Sequence, residues 1–209
     1  MILELMIEIL ITSKTLNVYD ETFYSADSNW HKYFNNYKVL NIPNEVSLLD
    51  NYLKYSKPKL IVLTGGGNVK SNYLAKDDFD ENREQVEERL IDHCIKNDIS
   101  IIGVCRGMQK ILSYLNSEIE FVQNDYEIKA KYELKNLNNQ KYSPSGSRTC
   151  FNNFSISNSK NIENNWDIIN LDSNNNLLSV KNKRNKILCL MWHPERDNTD
   201  SKFIHSFLK

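Results

Sequence analysis

Neither sign of charge is in excess in these 209 residues: 26 Lys and Arg stand against 27 Asp and Glu, a formal net charge of −1 at pH 7. Such a balance leaves no electrostatic footprint for nucleic acid or an anionic membrane, and the expected partner is a small molecule. No apolar run approaches the ~20 residues that a membrane-spanning helix needs. The opening stretch, Met1 to Ile11, is interrupted by Glu4 and Glu8 and has no basic leader, so the reading is cytoplasmic. Met6 is an alternative start, since Met6 to Ile11 already supplies a first strand. There is no Cys-x-x-Cys pair: Cys94, Cys105, Cys150 and Cys189 are widely spaced. That disfavours a zinc site, and a reducing compartment disfavours disulfides, so neither metal nor cofactor is expected. Nothing resembles a linker or an internal repeat. The length suffices for one substantial core, which predicts a single domain over residues 1–209.

What is present is an alternation of apolar runs and helical periodicity. Strands are predicted at Ile7 to Ile11, Tyr37 to Ile42, Leu60 to Leu63 and from Ile101. Helices fall between them at Ala26 to Asn35, Glu45 to Tyr55 and Asn82 to Asn97. This pattern predicts an α/β fold with a mostly parallel central sheet flanked by helices, whose ligands bind beyond the carboxyl ends of the strands. Shorter segments follow at Tyr126 to Leu134, Arg148 to Ser157, Trp166 to Leu171 and Leu177 to Val180, separated by Asn, Ser and Lys. They read as a small antiparallel extension, closed by strand Ile187 to Met191 and helix Ser201 to Leu208.

The most informative run is Ile101-Ile102-Gly103-Val104-Cys105-Arg106-Gly107-Met108-Gln109, in which an apolar strand delivers one cysteine between two glycines into an amphipathic helix. That is the layout of a nucleophile elbow, where glycines remove side chains that would clash in a tight strand-to-helix turn. A helix N-terminus favours thiolate, whereas an unperturbed thiol with a pKa near ~8.5 is only a few per cent ionised at neutral pH. The competing reading is a core strand ending in a small apolar residue; Cys94, in an amphipathic helix, and Cys189, in an apolar strand, are likewise read as core residues. Two further segments weigh against it for Cys105. Strand Leu60 to Leu63 runs into Thr64-Gly65-Gly66-Gly67-Asn68, whose bare backbone N–H groups suit a developing oxyanion, and strand Ile187 to Met191 leads to Trp192-His193-Pro194-Glu195, a base with a carboxylate two residues on. His31, His93 and His205 read as surface or packing residues.

With these three segments in this order, the chain resembles the class I glutamine amidotransferases, whose fold is flavodoxin-like and which carry a Cys-His-Glu triad. Leu63 to Gly67 is similar to the family's oxyanion strand, Gly103 to Gly107 to its Gly-x-Cys-x-Gly elbow, and His193 to Glu195 to its His-Pro-Glu. Arg106 and Gln109 complete a Cys-Arg-Gly-x-Gln form that resembles the stand-alone gamma-glutamyl hydrolase branch, as do the Asp27 to Phe34 segment and Arg83-Glu84-x-x-Glu87. One departure stands out. Where that branch carries Asn-Ser-x-His-x, this chain reads Thr149-Cys150-Phe151-Asn152-Asn153, so substrate recognition is expected to differ.

The resemblance implies Cys105 as nucleophile, His193 as general base then acid, and Glu195 as the group that holds the imidazole tautomer. It places the oxyanion on backbone N–H groups of Arg106 and of the Gly66 or Gly67 turn, with Gly66 preferred. The expected substrate is a gamma-glutamyl amide, including one whose leaving group carries CDP, although no motif spells out CDP recognition. Candidate substrate contacts are Gly65, Gly67, Asn68, Arg83, Gln109, Arg148 and Asn152. Some of these have a second reading: Gln109 as a buried amide bracing the elbow, Arg83 as an i,i+4 ion-pair partner of Glu87, and Glu195 as a solvated loop carboxylate. Were phosphates present, Arg106, Arg148 or the basic run Lys181 to Lys186 would be the cations to meet them. Two other functions stay open: a glutaminase subunit passing ammonia to a separate synthetase, and a non-enzymatic regulatory or redox protein on the same scaffold.

Overall fold

The computed structural model describes residues 7–75, 79–116, 119–124, 130–137 and 144–207. The first half runs β1 (Ile9–Thr12), β2 (Lys14–Val18), β3 (Glu21–Ser25), α1 (Asn29–Tyr33), β4 (Val39–Ile42), α2 (Val46–Ser56), β5 (Leu60–Leu63), α3 (Glu81–Asn97), β6 (Ser100–Val104) and α4 (Arg106–Leu115). The second runs β7 (Phe121–Gln123), β8 (Ala130–Glu133), β9 (Lys135–Asn136), β10 (Ser147–Cys150), β11 (Phe154–Ile156), α5 (Lys160–Asn165), β12 (Trp166–Leu171), β13 (Leu177–Asn182), β14 (Ile187–Leu190), α6 (Pro194–Asp197) and α7 (Ser201–Ser206).

Eight strands form one sheet in the order β4-β1-β5-β6-β14-β13-β12-β9. The first five are mutually parallel, and β13, β12 and β9 continue the sheet antiparallel. The α/β architecture read from the sequence is therefore present, with the antiparallel part joined to the main sheet. Every residue of β5, β6 and β14 is buried, as expected of strands covered on both faces, which read as continuous apolar runs. Cys94, Cys150 and Cys189 lie in the same core.

Several boundaries differ from the sequence reading. Residues 14–25, left without an element, form the β2–β3 hairpin. The first helix starts only at Asn29, because the Asp27 carboxylate accepts from the Asn29 N–H at 3.0 Å and holds the preceding residues in a turn. The segment Arg148 to Ser157 splits, β10 pairing with β8 and β11 with β7. Met1, Met6, Tyr126 and Leu208, which figured in the sequence reading, lie outside the described residues.

Strand register positions the site. Leu63 pairs with Gly103 and Leu190 with Val104, so β5, β6 and β14 end together at one edge of the sheet. The Cys105 N–H donates to the Leu190 carbonyl at 2.8 Å, tying the start of α4 to the end of β14. Helix α4 lies so close to the sheet that a Cβ at Gly107 would come within 2.1 Å of the Leu63 carbonyl oxygen, and one at Gly103 within 2.6 Å of the Gly107 oxygen. Both glycines are thus demanded by contact.

Candidate active site

Cys105 follows β6 directly and precedes the first residue of α4. Its backbone has φ 54° and ψ −110°, a sparsely populated conformation that the surrounding sheet and helix impose. Arg106, as the first helical residue, belongs to the turn whose N–H groups lack intrahelical partners.

His193 follows β14 and precedes Pro194, whose ring opens the four-residue helix α6 and keeps His193 extended at φ −105°, ψ 90°. The short helix turns Glu195 back onto the imidazole, with Nδ1 2.6 Å from Glu195 Oε1. Both side chains are buried, so Glu195 is not a solvated loop carboxylate. On its other side the ring faces Cys105 across the bare Gly65. A Cβ at Gly65 would sit 3.1 Å from His193 Nε2 and 3.4 Å from Cys105 Cβ, so this bare residue lies against both. Burial alone would lower the His193 pKa. The neighbouring Cys105 and the hydrogen-bonded Glu195 carboxylate outweigh it and raise the pKa to about 9. The Phe151 ring meets the imidazole edge-on at 5.6 Å. Gly65, Cys105 and His193, far apart in sequence, are thus brought together at one sheet edge.

The glycine turn after β5 is fixed from behind. Arg83, buried on α3, donates to the carbonyl oxygens of Thr64 at 2.7 Å, Gly65 at 3.2 Å and Gly66 at 2.8 Å. A trans peptide places its N–H opposite its carbonyl, so the N–H groups of Gly65, Gly66 and Gly67 point away from Arg83. Gly66 has φ +91°, which disfavours any side chain there. Arg83 also bonds Glu87 Oε1 through Nε at 2.8 Å, so it combines the i,i+4 ion pair with a clamp on the turn. Glu87 and Glu84 in turn bind the Arg106 guanidinium, which also donates to the Asn68 carbonyl at 3.0 Å. Lys110 closes this buried network on Glu84 at 2.6 Å.

The other predicted contacts fall as follows. A pocket of about 140 Å³ beside Cys105 is lined by Gly66, Gly67, Asn68, Gln109 and Asn152. Gln109 Nε2 donates to the Phe154 carbonyl at 2.7 Å, bracing β11 while its side chain lines this pocket. Asn152 Nδ2 donates to the same carbonyl at 2.9 Å, and its buried Oδ1 has no partner among the described residues. Arg148 is bound to Asp200 at 2.7 and 2.9 Å, and Asp200 also accepts from the Trp192 indole, so Arg148 braces the turn that carries His193. Lys186 is paired with Asp98, beside the opening of β6, which puts the basic run 181–186 at the opposite sheet edge from Cys105. Among the described residues no group of His, Cys, Asp and Glu is placed to hold a metal ion, and no helix is long and apolar enough to cross a membrane.

Sequence reasoning missed Lys14, Phe151 and Arg196. Lys14 belongs to the unforeseen hairpin, and its stem crosses Gly66, where a Cβ would lie 2.9 Å from Lys14 Cδ. Arg196 stacks on Phe151 with its guanidinium carbon 4.4 Å from the ring centre; its position three residues after His193 was the available signal.

Residues 16–208 match the family model described as glutamine amidotransferase class-I. The chain is 27% identical over 175 residues to a gamma-glutamyl-CDP-amidate hydrolase of Campylobacter jejuni, covering 81% of this chain and 80% of the relative. It is 26% identical over 177 residues to a glutamine-hydrolyzing GMP synthase of Brachyspira hyodysenteriae, covering 79% of this chain but 30% of that larger protein. The crystal structure of a glutamine amidotransferase from Thermotoga maritima superposes with a TM-score of 0.63 at 13% identity, covering 97% of this chain and 90% of the other, which is a likeness of fold.

Proposed function

Since the chain belongs to the class I glutamine amidotransferase family, we propose that it hydrolyses a gamma-glutamyl amide through a Cys105-His193-Glu195 triad. The observation that carries this reading is the buried His193 bound to Glu195 at 2.6 Å, with Gly65 lying against both the imidazole and Cys105. Glu195 fixes the tautomer with Nδ1–H, so that Nε2 faces the sulfur. Nε2 takes the thiol proton, the resulting Cys105 thiolate attacks the gamma-carbonyl carbon, and the negative charge that gathers on the oxygen meets the N–H groups of Arg106 and Gly66. His193 gives its Nε2 proton to the leaving nitrogen, the C–N bond breaks, and a glutamyl thioester remains. His193 then takes a proton from water as the hydroxide adds to the thioester, and glutamate leaves with the thiolate restored. The glutamyl group occupies the pocket of Gln109 and Asn152, where the unpartnered Asn152 Oδ1 accepts from the substrate ammonium.

The similarity to a gamma-glutamyl-CDP-amidate hydrolase makes that compound the first substrate to try, with cytidine diphosphoramidate as the released product. We place the reaction in the cytoplasm, on a small molecule rather than nucleic acid or membrane. Glutamate release is measured with gamma-glutamyl-CDP-amidate, gamma-glutamyl-GABA, other gamma-glutamyl amines and glutamine, with Cys105→Ala as control. Turnover that disappears in Cys105→Ala supports the hydrolase. The similarity to a GMP synthase supports a second reading, a glutaminase subunit delivering ammonia to a separate synthetase. That reading predicts hydrolysis of glutamine that rises when the synthetase docks.

A further inference from the structure

We propose that Lys14 recognises a phosphoryl group on the leaving half of the substrate and thereby selects which gamma-glutamyl amides are cleaved. This rests on the hydrolase reading above. Two cavities share Gly66 and differ in kind. The pocket of Gln109 and Asn152 is lined by Cys105 itself. A separate cleft of about 270 Å³ is bordered by His193, Gly65, Gly66, Trp30, Arg196 and Lys14. An acid that protonates the leaving nitrogen must face it, so the leaving group sits on the His193 side, in the cleft that holds Lys14.

Charges facing that cleft are already paired, with one exception. Glu195 is bound to His193, and Asp27 to Arg196 at 3.3 Å. Arg196 is further occupied by its stack on Phe151. Lys14 has no ionic or hydrogen-bonded partner among the described residues, although it stands over the glycine turn. Its aliphatic stem rests on Gly66, leaving the ammonium as a point charge beside the place where the leaving group must pass. A second cleft, of about 480 Å³, shares Lys14, Leu16 and Gly66 with the first, and its wall includes Thr15, Asn17 and Asn68 together with Asp80, bound to Thr15 and the Arg83 N–H, and Glu81, paired with Lys70. Lys14 therefore stands where two clefts meet. Ammonia, the leaving group of glutamine, needs neither space nor cation there. An amidate carrying phosphates uses both, with phosphoryl oxygens on Lys14 and the remainder in the larger cleft.

The test compares kcat/KM for gamma-glutamyl-CDP-amidate, gamma-glutamyl-GABA and gamma-glutamyl-p-nitroanilide, whose leaving group is uncharged, in wild type, Lys14→Met and Lys14→Arg. Lys14→Met keeps the stem on Gly66 and removes only the charge. The ratio of phosphoryl to uncharged substrate is expected to fall about tenfold or more in Lys14→Met and to stay within a few-fold of wild type in Lys14→Arg. The gap should narrow as salt rises to about 0.5 M. An unchanged ratio overturns the proposal, as does a fall confined to the carboxylate of gamma-glutamyl-GABA. Calorimetric binding of cytidine diphosphate decides independently of turnover: about tenfold weaker binding in Lys14→Met supports the assignment, and equal binding overturns it. Should wild type release glutamate from none of the amides, the hydrolase reading fails while the binding comparison still judges Lys14.

Discussion

Arg83 reaches from α3 to the Gly66 carbonyl oxygen at 2.8 Å, so a helix-borne cation sets the orientation of the glycine turn that faces Cys105. Three carbonyls turned toward one guanidinium leave the next N–H groups pointing the other way, toward whatever develops negative charge. Arg83→Lys retains a cation for Glu87 but not the planar fork that serves Thr64, Gly65 and Gly66. Its kcat is expected to drop about 10- to 100-fold with a smaller change in KM, less than the roughly 10²- to 10³-fold that outright loss of one oxyanion donor costs. Arg83→Ala strips a partner from buried Glu87 and is expected to cost about 3–5 kcal/mol of stability. Steady-state kinetics and denaturant unfolding separate the two effects.

Glu195 does for His193 what Arg83 does for the turn. Glu195→Gln preserves shape yet lets the imidazole adopt the wrong tautomer, and kcat should fall on the order of 10³- to 10⁴-fold with KM little changed. Kinetics on the substrate that wild type turns over fastest checks this.

Titration of His193 links activity and stability to pH. Its pKa is raised from 6.5 to about 9 in the folded chain, so folded protein binds this proton more tightly than unfolded chain. Stability from that proton is complete below pH 6.5 and is lost as pH rises through about 9. Between those limits wild type should lose on the order of 3 kcal/mol more than His193→Ala in urea unfolding. The rate should decline over the same upper range, as the acid for the leaving nitrogen deprotonates. A flat difference between the two proteins would contradict the assignment.

Gly107→Ala tests the close approach of α4 to β5. The new Cβ would lie 2.1 Å from the Leu63 carbonyl oxygen, an atom of the sheet backbone that cannot step aside. Helix and sheet must separate, at a cost of about 3 kcal/mol or more, and Cys105 moves with the helix. Thermal unfolding should show the loss, and residual activity in the folded fraction should be well below wild type.

How much was legible in the sequence depended on how each segment is buried. Strand β5 was read at its observed bounds and β6 and β14 nearly so, because burial on both faces leaves an unbroken apolar run. Cys105, His193 and the glycine turn each follow one of those strands, and the parallel pairing of the three brings them to one edge. The β2–β3 hairpin was not legible. Its strands are largely exposed, and its turn places Tyr19 and Asp20 at φ 54° and 62° without the Asn-Gly or Asp-Gly pair that marks such turns. Lys14 was lost with it. The Arg106 side chain read as a candidate phosphate contact because sequence spacing does not reveal that Glu84 and Glu87, about twenty residues earlier, enclose it. Arg148 likewise met Asp200 only through the fold.

The most direct test is to find the acyl-enzyme. Wild type mixed with gamma-glutamyl-CDP-amidate, or with whichever amide it hydrolyses, would be acid-quenched within milliseconds and its peptides read by mass spectrometry. The account predicts a glutamyl thioester on Cys105 that accumulates and decays with the rate of glutamate release. Glutamate release at an undiminished rate by Cys105→Ala, or a glutamyl adduct on any other residue, would contradict it.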